Sequence, residues 1–350
     1  MTTAAANLRE RARRPALRFL AGGAGPAIRA LDGRVALICQ PEPLAELGGA
    51  AVGPEVVVRS VSTLSEAALT DLESGLPEVD SVVGLGGGTA MDAAKYVAWQ
   101  RDLPLLLLPS IVSVDACVTN TVAVRTGGGV EYRGFVVADA IVVDADLVRR
   151  APAQLNRAGI GDLLSIHTAL WDWQAGDRAG RSMYRPGIAA AAAAVLDRID
   201  DMADEIGDVS PAAVEAIVRG YAEVNALCLD VGHSQPEEGS EHYLAYRLEA
   251  MTGRSFVHGE LVGLGTVTMA IAQGHDPERP VRILERSQVA WRPDELGLEP
   301  TVLEHALAGL PAFIGEQRLP YSVIDETDLA ARAGSIVTAV LELATSGERA

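Results

Sequence analysis

The chain has 350 residues, 49% of them hydrophobic, enough to bury one large core or two moderate ones. Its formal net charge is −18, so neither nucleic acid nor an anionic membrane is an expected partner, and an anionic substrate would need a local basic pocket. Cys39, Cys117 and Cys228 have no CxxC spacing, residues 1–18 hold no apolar leader core, and the longest apolar run, 188–196, is too short to span a bilayer. Free buried thiols and a cytoplasmic location are therefore expected.

Along the chain, short β-branched runs at 35–39, 56–58, 81–85, 105–108, 121–124 and 141–143 alternate with helical stretches at 26–30, 65–73 and 89–101. That alternation predicts an α/β layer structure over residues 1–150. Pro104 and Pro109 bracket the 105–108 run, as expected of a buried strand opening at a site. After Ala151-Pro152 the pattern turns helical, with stretches at 162–175, 186–206, 211–229, 241–252 and 261–273 and two or three closing helices over 300–350. Ser210-Pro211 reads as an N-cap followed by proline at the first helical position.

Residues 82–95 pass from an apolar strand through Gly84-Leu85-Gly86-Gly87-Gly88-Thr89-Ala90 into an Ala-rich helix. A glycine turn at a helix N-terminus offers backbone N–H groups to a pyrophosphate. Gly84 and Gly86 fit the first two positions of the Rossmann fingerprint, but Thr89 stands at the third, and no Walker lysine follows. Lys95, on the predicted helix, is the sole lysine of the chain. A compact ammonium near phosphate or nicotinamide is one role arginine could not fill.

Asp162, His242 and His258 lie in the glycine-flanked stretches Gly161-Asp162, Gly239-Ser240-Glu241-His242 and His258-Gly259. One carboxylate and two imidazoles suit a divalent transition metal that keeps a position open for substrate. Four residues after Asp162 stands Ile166, and His167 at i+5 points elsewhere, so three protein ligands are expected. His233 is placed at a cleft mouth, and His275 and His305 in solvent.

These clusters, with Pro109-Ser110-Ile111-Val112-Ser113-Val114-Asp115 and Asp172-Trp173 between them, resemble the glycerol-1-phosphate dehydrogenase branch of a superfamily. That superfamily also holds glycerol dehydrogenase, iron-containing alcohol dehydrogenases and dehydroquinate synthase. The resemblance runs from about residue 18 to about residue 272. It implies a Rossmann-like dinucleotide-binding domain over 1–150 and an all-helical metal- and substrate-binding domain over 151–350, with the site in the cleft between them. It further implies that Gly86, Gly87, Gly88, Ser110, Ser113 and Thr119 touch NAD or NADP, and Thr89, Ala90, Lys95 and Gln40 are expected beside the cofactor with them. Asp115 would face the substrate, and Asp162, His242 and His258 would hold one metal, zinc before nickel or iron.

The chain also departs from that branch. Tyr246 stands where a second, substrate-contacting histidine is typical, Ser110 replaces a threonine, and Gln40 replaces an acidic residue on the adenosine ribose. Segment 126–134 carries Glu131 and Arg133 but lacks the lysine often found there. The expected activity is metal-dependent hydride transfer at a CH–OH group, with Asp115, Asp162 and Tyr246 as catalytic residues. The substrate is a small alcohol or carbonyl other than glycerol 1-phosphate, from specialised metabolism, and the enzyme a homo-oligomer. The alternatives are a genuine glycerol-1-phosphate dehydrogenase, a dehydroquinate-synthase-like or cyclitol-synthase lyase, and a non-catalytic scaffold.

Overall fold

The computed structural model describes residues 14–48, 52–126 and 129–346. Residues 1–13, most of the N-terminal stretch noted above, lie outside the described residues. The chain divides into two compact units, Met1–Asn156 and Arg157–Ala350.

In the first unit the elements run β1 (Ala16–Leu20), α1 (Ala24–Arg29), β2 (Val35–Cys39), α2 (Pro41–Leu47), β3 (Val56–Ser60), α3 (Glu66–Ser74), β4 (Ser81–Gly86) and α4 (Gly88–Arg101). There follow β5 (Leu105–Pro109), a 3-10 turn at Asp115–Cys117, β6 (Val122–Thr126), β7 (Gly129–Arg133), β8 (Ala140–Asp144) and α5 (Ala145–Val148). Six parallel strands form one sheet in the order β1-β8-β5-β4-β2-β3, and β6 and β7 make a separate antiparallel hairpin. The central strands β2, β4 and β5 are buried along their whole length, as continuous apolar runs covered on both faces must be.

From β2 the chain steps outward to β3 and then returns across β2 to β4. Beyond the carboxyl ends of two strands that diverge in this way, a parallel sheet opens a crevice for a ligand. Gln40 follows β2 there, and Gly86-Gly87-Gly88 follows β4. Gly84 lets α4 lie against β4, because a Cβ at that position would meet the Ala94 methyl at 2.8 Å.

The second unit is helical: α6 (Ala153–Ala158, straddling the boundary), α7 (Gly161–Leu164), α8 (Ile166–Arg178), α9 (Pro186–Asp201), α10 (Ala203–Gly207) and α11 (Pro211–Val231). It continues with α12 (Ser240–Thr252), α13 (His258–Gln273), α14 (Glu278–Arg286), α15 (Pro300–Gln317), α16 (Val323–Glu326) and α17 (Leu329–Ser346). Ser210 caps α11 through its side chain and Pro211 opens it.

The single helix expected over 162–175 is divided at Ser165. The Ser165 hydroxyl turns back to the carbonyl of Asp162 at 2.7 Å and also reaches that of Glu237, competing with regular helix geometry. Among the described residues one helix, α17, is long and apolar enough to cross a membrane, at mean hydropathy 1.2. It buries Leu329, Ala333, Ile336, Val337, Val340 and Ala344, one helical face, and packs on α15 and α13.

Candidate functional site

In the helical unit, Asp162 sits on α7, His242 in the first turn of α12, and His258 at the start of α13. The Asp162 Oδ1 lies 3.2 Å from His258 Nε2 and 3.7 Å from His242 Nε2. One ligand atom from each residue falls within 4.8 Å of the other two. Ligand atoms around a tetrahedral ion at ~2.1 Å would lie about 3.4 Å apart, so the three fit a metal at first-row dimensions. The Asp162 Oδ1 is buried without a hydrogen-bond partner, the state expected of an atom reserved for a cation.

The glycines beside these residues have steric reasons. A Cβ on Gly161 would lie 2.3 Å from the Cα of Gly259, and one on Gly259 would lie 1.7 Å from the carbonyl oxygen of Ala158. Close backbone contact between the starts of α7 and α13 is what brings Asp162 and His258 together. Tyr221 on α11 donates to the carbonyl of Gly159, just before α7.

Electrostatics favours a cation here. Burial alone would raise the Asp162 carboxyl, but the facing His258 and His242 rings outweigh it and hold it well below the usual range. Burial alone would lower His242, yet the neighbouring carboxylates of Asp162, Glu241 and Glu238 leave it raised. Asp172, buried on α8, is pushed up to about 7 by burial and then by the charge of Glu241. Its two oxygens accept from Ser240 N–H at 2.8 Å and Val323 N–H at 2.7 Å.

In the sheet unit, Gly86 has φ +150 and no room for a side chain, since a Cβ would meet Gln40 Oε1 at 2.5 Å. Gly87, the N-cap of α4, donates its N–H to that same Gln40 oxygen at 2.7 Å. No side chain caps α4. With the Ala90 N–H turned back to Gly87 O, the first-turn donors toward an anion are the N–H groups of Gly88 and Thr89.

The profile of the family described as iron-containing alcohol dehydrogenase matches residues 44–152. Glycerol-1-phosphate dehydrogenase [NAD(P)+] of Methanothermobacter thermautotrophicus is 26% identical over 318 residues, covering 89% of this chain and 91% of its own. The enzyme of the same name from Hyperthermus butylicus is 29% identical, covering 76% and 74%. Among solved structures, glycerol dehydrogenase from Schizosaccharomyces pombe shares the fold at a TM-score of 0.75 and 18% identity, covering 96% of this chain and 91% of that one. The chain is similar to the iron-containing alcohol dehydrogenase family over residues 44–152 and to the glycerol-1-phosphate dehydrogenases over most of its length. Those glycerol-1-phosphate relatives are NAD(P)-dependent dehydrogenases.

Two residues expected at the cofactor, Lys95 and Ala90, are buried among other partners. Lys95 is 1% exposed, and its Nζ donates to Thr121 O at 2.7 Å and Thr119 Oγ1 at 3.0 Å and pairs with Asp92 at 2.7 Å. A buried ammonium must find such partners, and Lys95 has them within the first unit. Ala90 is 0% exposed; it gives its N–H to Gly87 O, and its methyl lies where a Cβ on Gly86 would clash.

Thr119 is half-buried, with its hydroxyl tied to Lys95 and Ala116. Thr89, Ser113 and Asp115 are half-buried, whereas Ser110 is buried and extends β5 by donating its N–H to Gly86 O. The segment after β5 is held by Asn156, whose Oδ1 accepts from Val112 N–H at 3.1 Å. Nothing in the sequence singles out Asn156. Cys117 is buried and its thiol pushed up to about 12, by burial first and then by Asp115, in keeping with packing rather than catalysis.

The Tyr246 ring stands 6.0 Å from that of His242, one turn along α12, and its hydroxyl donates to Glu238 at 2.7 Å. His167 turns away from the triad: its Nε2 meets the carbonyls of His275 and Asp276, and its ring stacks on His275 at 4.4 Å. His275 is thus half-buried rather than solvated, while His305 is exposed. His233 packs edge-on against Trp173 at 5.4 Å.

Proposed function

We propose that Asp162, His242 and His258 hold one divalent metal, zinc in preference to nickel or iron, and that the enzyme acts on a CH–OH or carbonyl substrate that is not a phosphate ester. A bound divalent ion supplies Lewis acidity that favours the substrate alkoxide. The chain's own residues do the rest. Asp162 supplies the single negative charge of the ligand set, Tyr246 and Glu238 hold a proton beside His242, and Gly86–Gly88 with the α4 N-terminus bind the dinucleotide.

The observation that carries the substrate reading is the Tyr246–Glu238 hydrogen bond. Where the glycerol-1-phosphate branch places a histidine, this chain has a neutral phenol fastened to a carboxylate. A phosphate dianion beside Glu238 would meet like charge and find fewer donors. Of the arginines that could have compensated, Arg133 pairs with Glu66 and Glu131, while Arg247 lies over the Phe313 ring with its buried Nε unpartnered.

The curated relatives support a second reading, glycerol-1-phosphate dehydrogenase itself. Metal analysis of the purified protein, then steady-state assays with dihydroxyacetone phosphate and a panel of polyols and aldehydes, separates the two. A kcat/KM of roughly 10⁴ M⁻¹s⁻¹ or more on dihydroxyacetone phosphate establishes the second reading and removes the first.

A further inference from the structure

Glu241 precedes His242 in sequence and would ordinarily be taken for a solvated acid. It is 0% exposed. Its Oε1 accepts from Gly239 N–H at 2.6 Å and faces His242 Nδ1 at 2.9 Å, while its Oε2 accepts from the Thr168 hydroxyl at 2.7 Å. A backbone N–H can only donate, so the oxygen shared by Gly239 and His242 is an acceptor, and His242 Nδ1 carries the hydrogen. The lone pair of that ring is thereby left on Nε2, the atom that faces Asp162.

The surroundings fix this carboxylate tightly. A Cβ on Gly239 would meet Asp172 Oδ2 at 2.8 Å and Glu241 Oε2 at 3.2 Å, and one on Gly265 of α13 would meet the Glu241 carbonyl at 2.5 Å. Thr168 comes from α8, so Glu241 is clamped from three segments, and it clamps His242 in turn.

We infer that Glu241 is the positioning residue of the metal centre. It sets the tautomer and ring plane of His242 and is itself set by Thr168, an inference that rests on reading Asp162, His242 and His258 as ligands. Carboxylates in this relation to a ligating imidazole typically govern metal affinity by about 10- to 100-fold.

The test uses the full-length apoprotein titrated with zinc against a competing chelator, with the cobalt(II) visible spectrum as a second readout. Glu241→Gln keeps an oxygen for Gly239 and His242 and can donate to the Thr168 oxygen, so it should bind zinc within about tenfold of wild type with an unchanged cobalt spectrum. Glu241→Ala should weaken binding by about 10- to 100-fold and alter the cobalt bands.

Thr168→Val removes one support without opening a cavity and should weaken binding by about threefold or more, which decides the matter should Glu241→Ala fail to fold. Folded Glu241→Ala and Thr168→Val proteins that bind zinc like wild type, with the wild-type cobalt spectrum, overturn the positioning role. A wild-type protein that takes up neither ion overturns the ligand reading itself, and the inference with it.

Discussion

Gly161 and Gly259 touch backbone to backbone: no side chain fits on either, and the residues next to them, Asp162 and His258, are thereby set 3.2 Å apart. The spacing of Asp162 and His258 is thus set by a steric constraint between two residues that carry no chemistry. Gly259→Ala would drive a methyl to 1.7 Å from the Ala158 carbonyl, a backbone atom that cannot rotate away. The expected outcome is separation of α7 from α13, a loss of at least ~2 kcal/mol in denaturant unfolding, and metal content well below that of wild type. Elemental analysis alongside urea titration checks both halves.

His242→Ala leaves the helices in place and removes one ligand. The purified variant should fold with a near-wild-type circular dichroism spectrum but retain little zinc and no measurable dehydrogenase activity. Wild-type metal stoichiometry in that variant would remove His242 from the site.

Lys95→Met should destabilise the sheet unit by about 3 kcal/mol, because it strands Asp92 in the interior without its cation and strips Thr119 and Thr121 of a donor. Nicotinamide affinity, measured by fluorescence below the unfolding range, should stay within about threefold of wild type, since 0.6 kcal/mol is the most a remote change of this kind should transmit. A large loss of affinity without loss of stability would return Lys95 to the cofactor site.

His167 supplies a pH dependence. Burial first, and then the neighbouring His275, lowers it from its ordinary value of 6.5, so the folded state binds fewer protons than the unfolded state. Its contribution is therefore fully present above pH 6.5 and is lost as the pH falls through the lowered value. Urea midpoints of wild type should drop between pH 7.5 and 5.5, and His167→Gln should show a shallower decline over the same window.

Gln40 gives a test of cofactor choice. Its oxygen holds Gly87 N–H, and its amide nitrogen remains a donor. Wild type should bind NAD and NADP within about tenfold of each other, or ~1.4 kcal/mol. Gln40→Glu preserves the acceptor at Gly87 while adding a negative charge, and should weaken NADP by about tenfold or more with little change for NAD.

The buried centre of the sheet was readable because β2, β4 and β5 are uninterrupted apolar runs bounded by turns. Strand β1 was not readable: it is a half-exposed edge with Arg18 in the middle, and its five residues look like any polar-interrupted terminus. Nor was β7, part of a glycine-rich hairpin with Tyr132 exposed. The ligand triad could be picked out because its glycines and residue types both point to close approach. Glu241 could not, since its burial depends on Thr168, which lies 73 positions away, and no local pattern reports that. Lys95 is ambiguous in the sequence for an instructive reason. Its being the sole lysine signals a constraint but does not say whether the constraint is on a ligand or on the interior.

That burial has a chemical consequence. With its single lysine sealed under the sheet, the native fold presents no lysine amine to solvent. Acylating reagents and amine cross-linkers should leave residue 95 untouched until the first unit opens. The rate at which it becomes modified then reads out unfolding directly, with no engineered label.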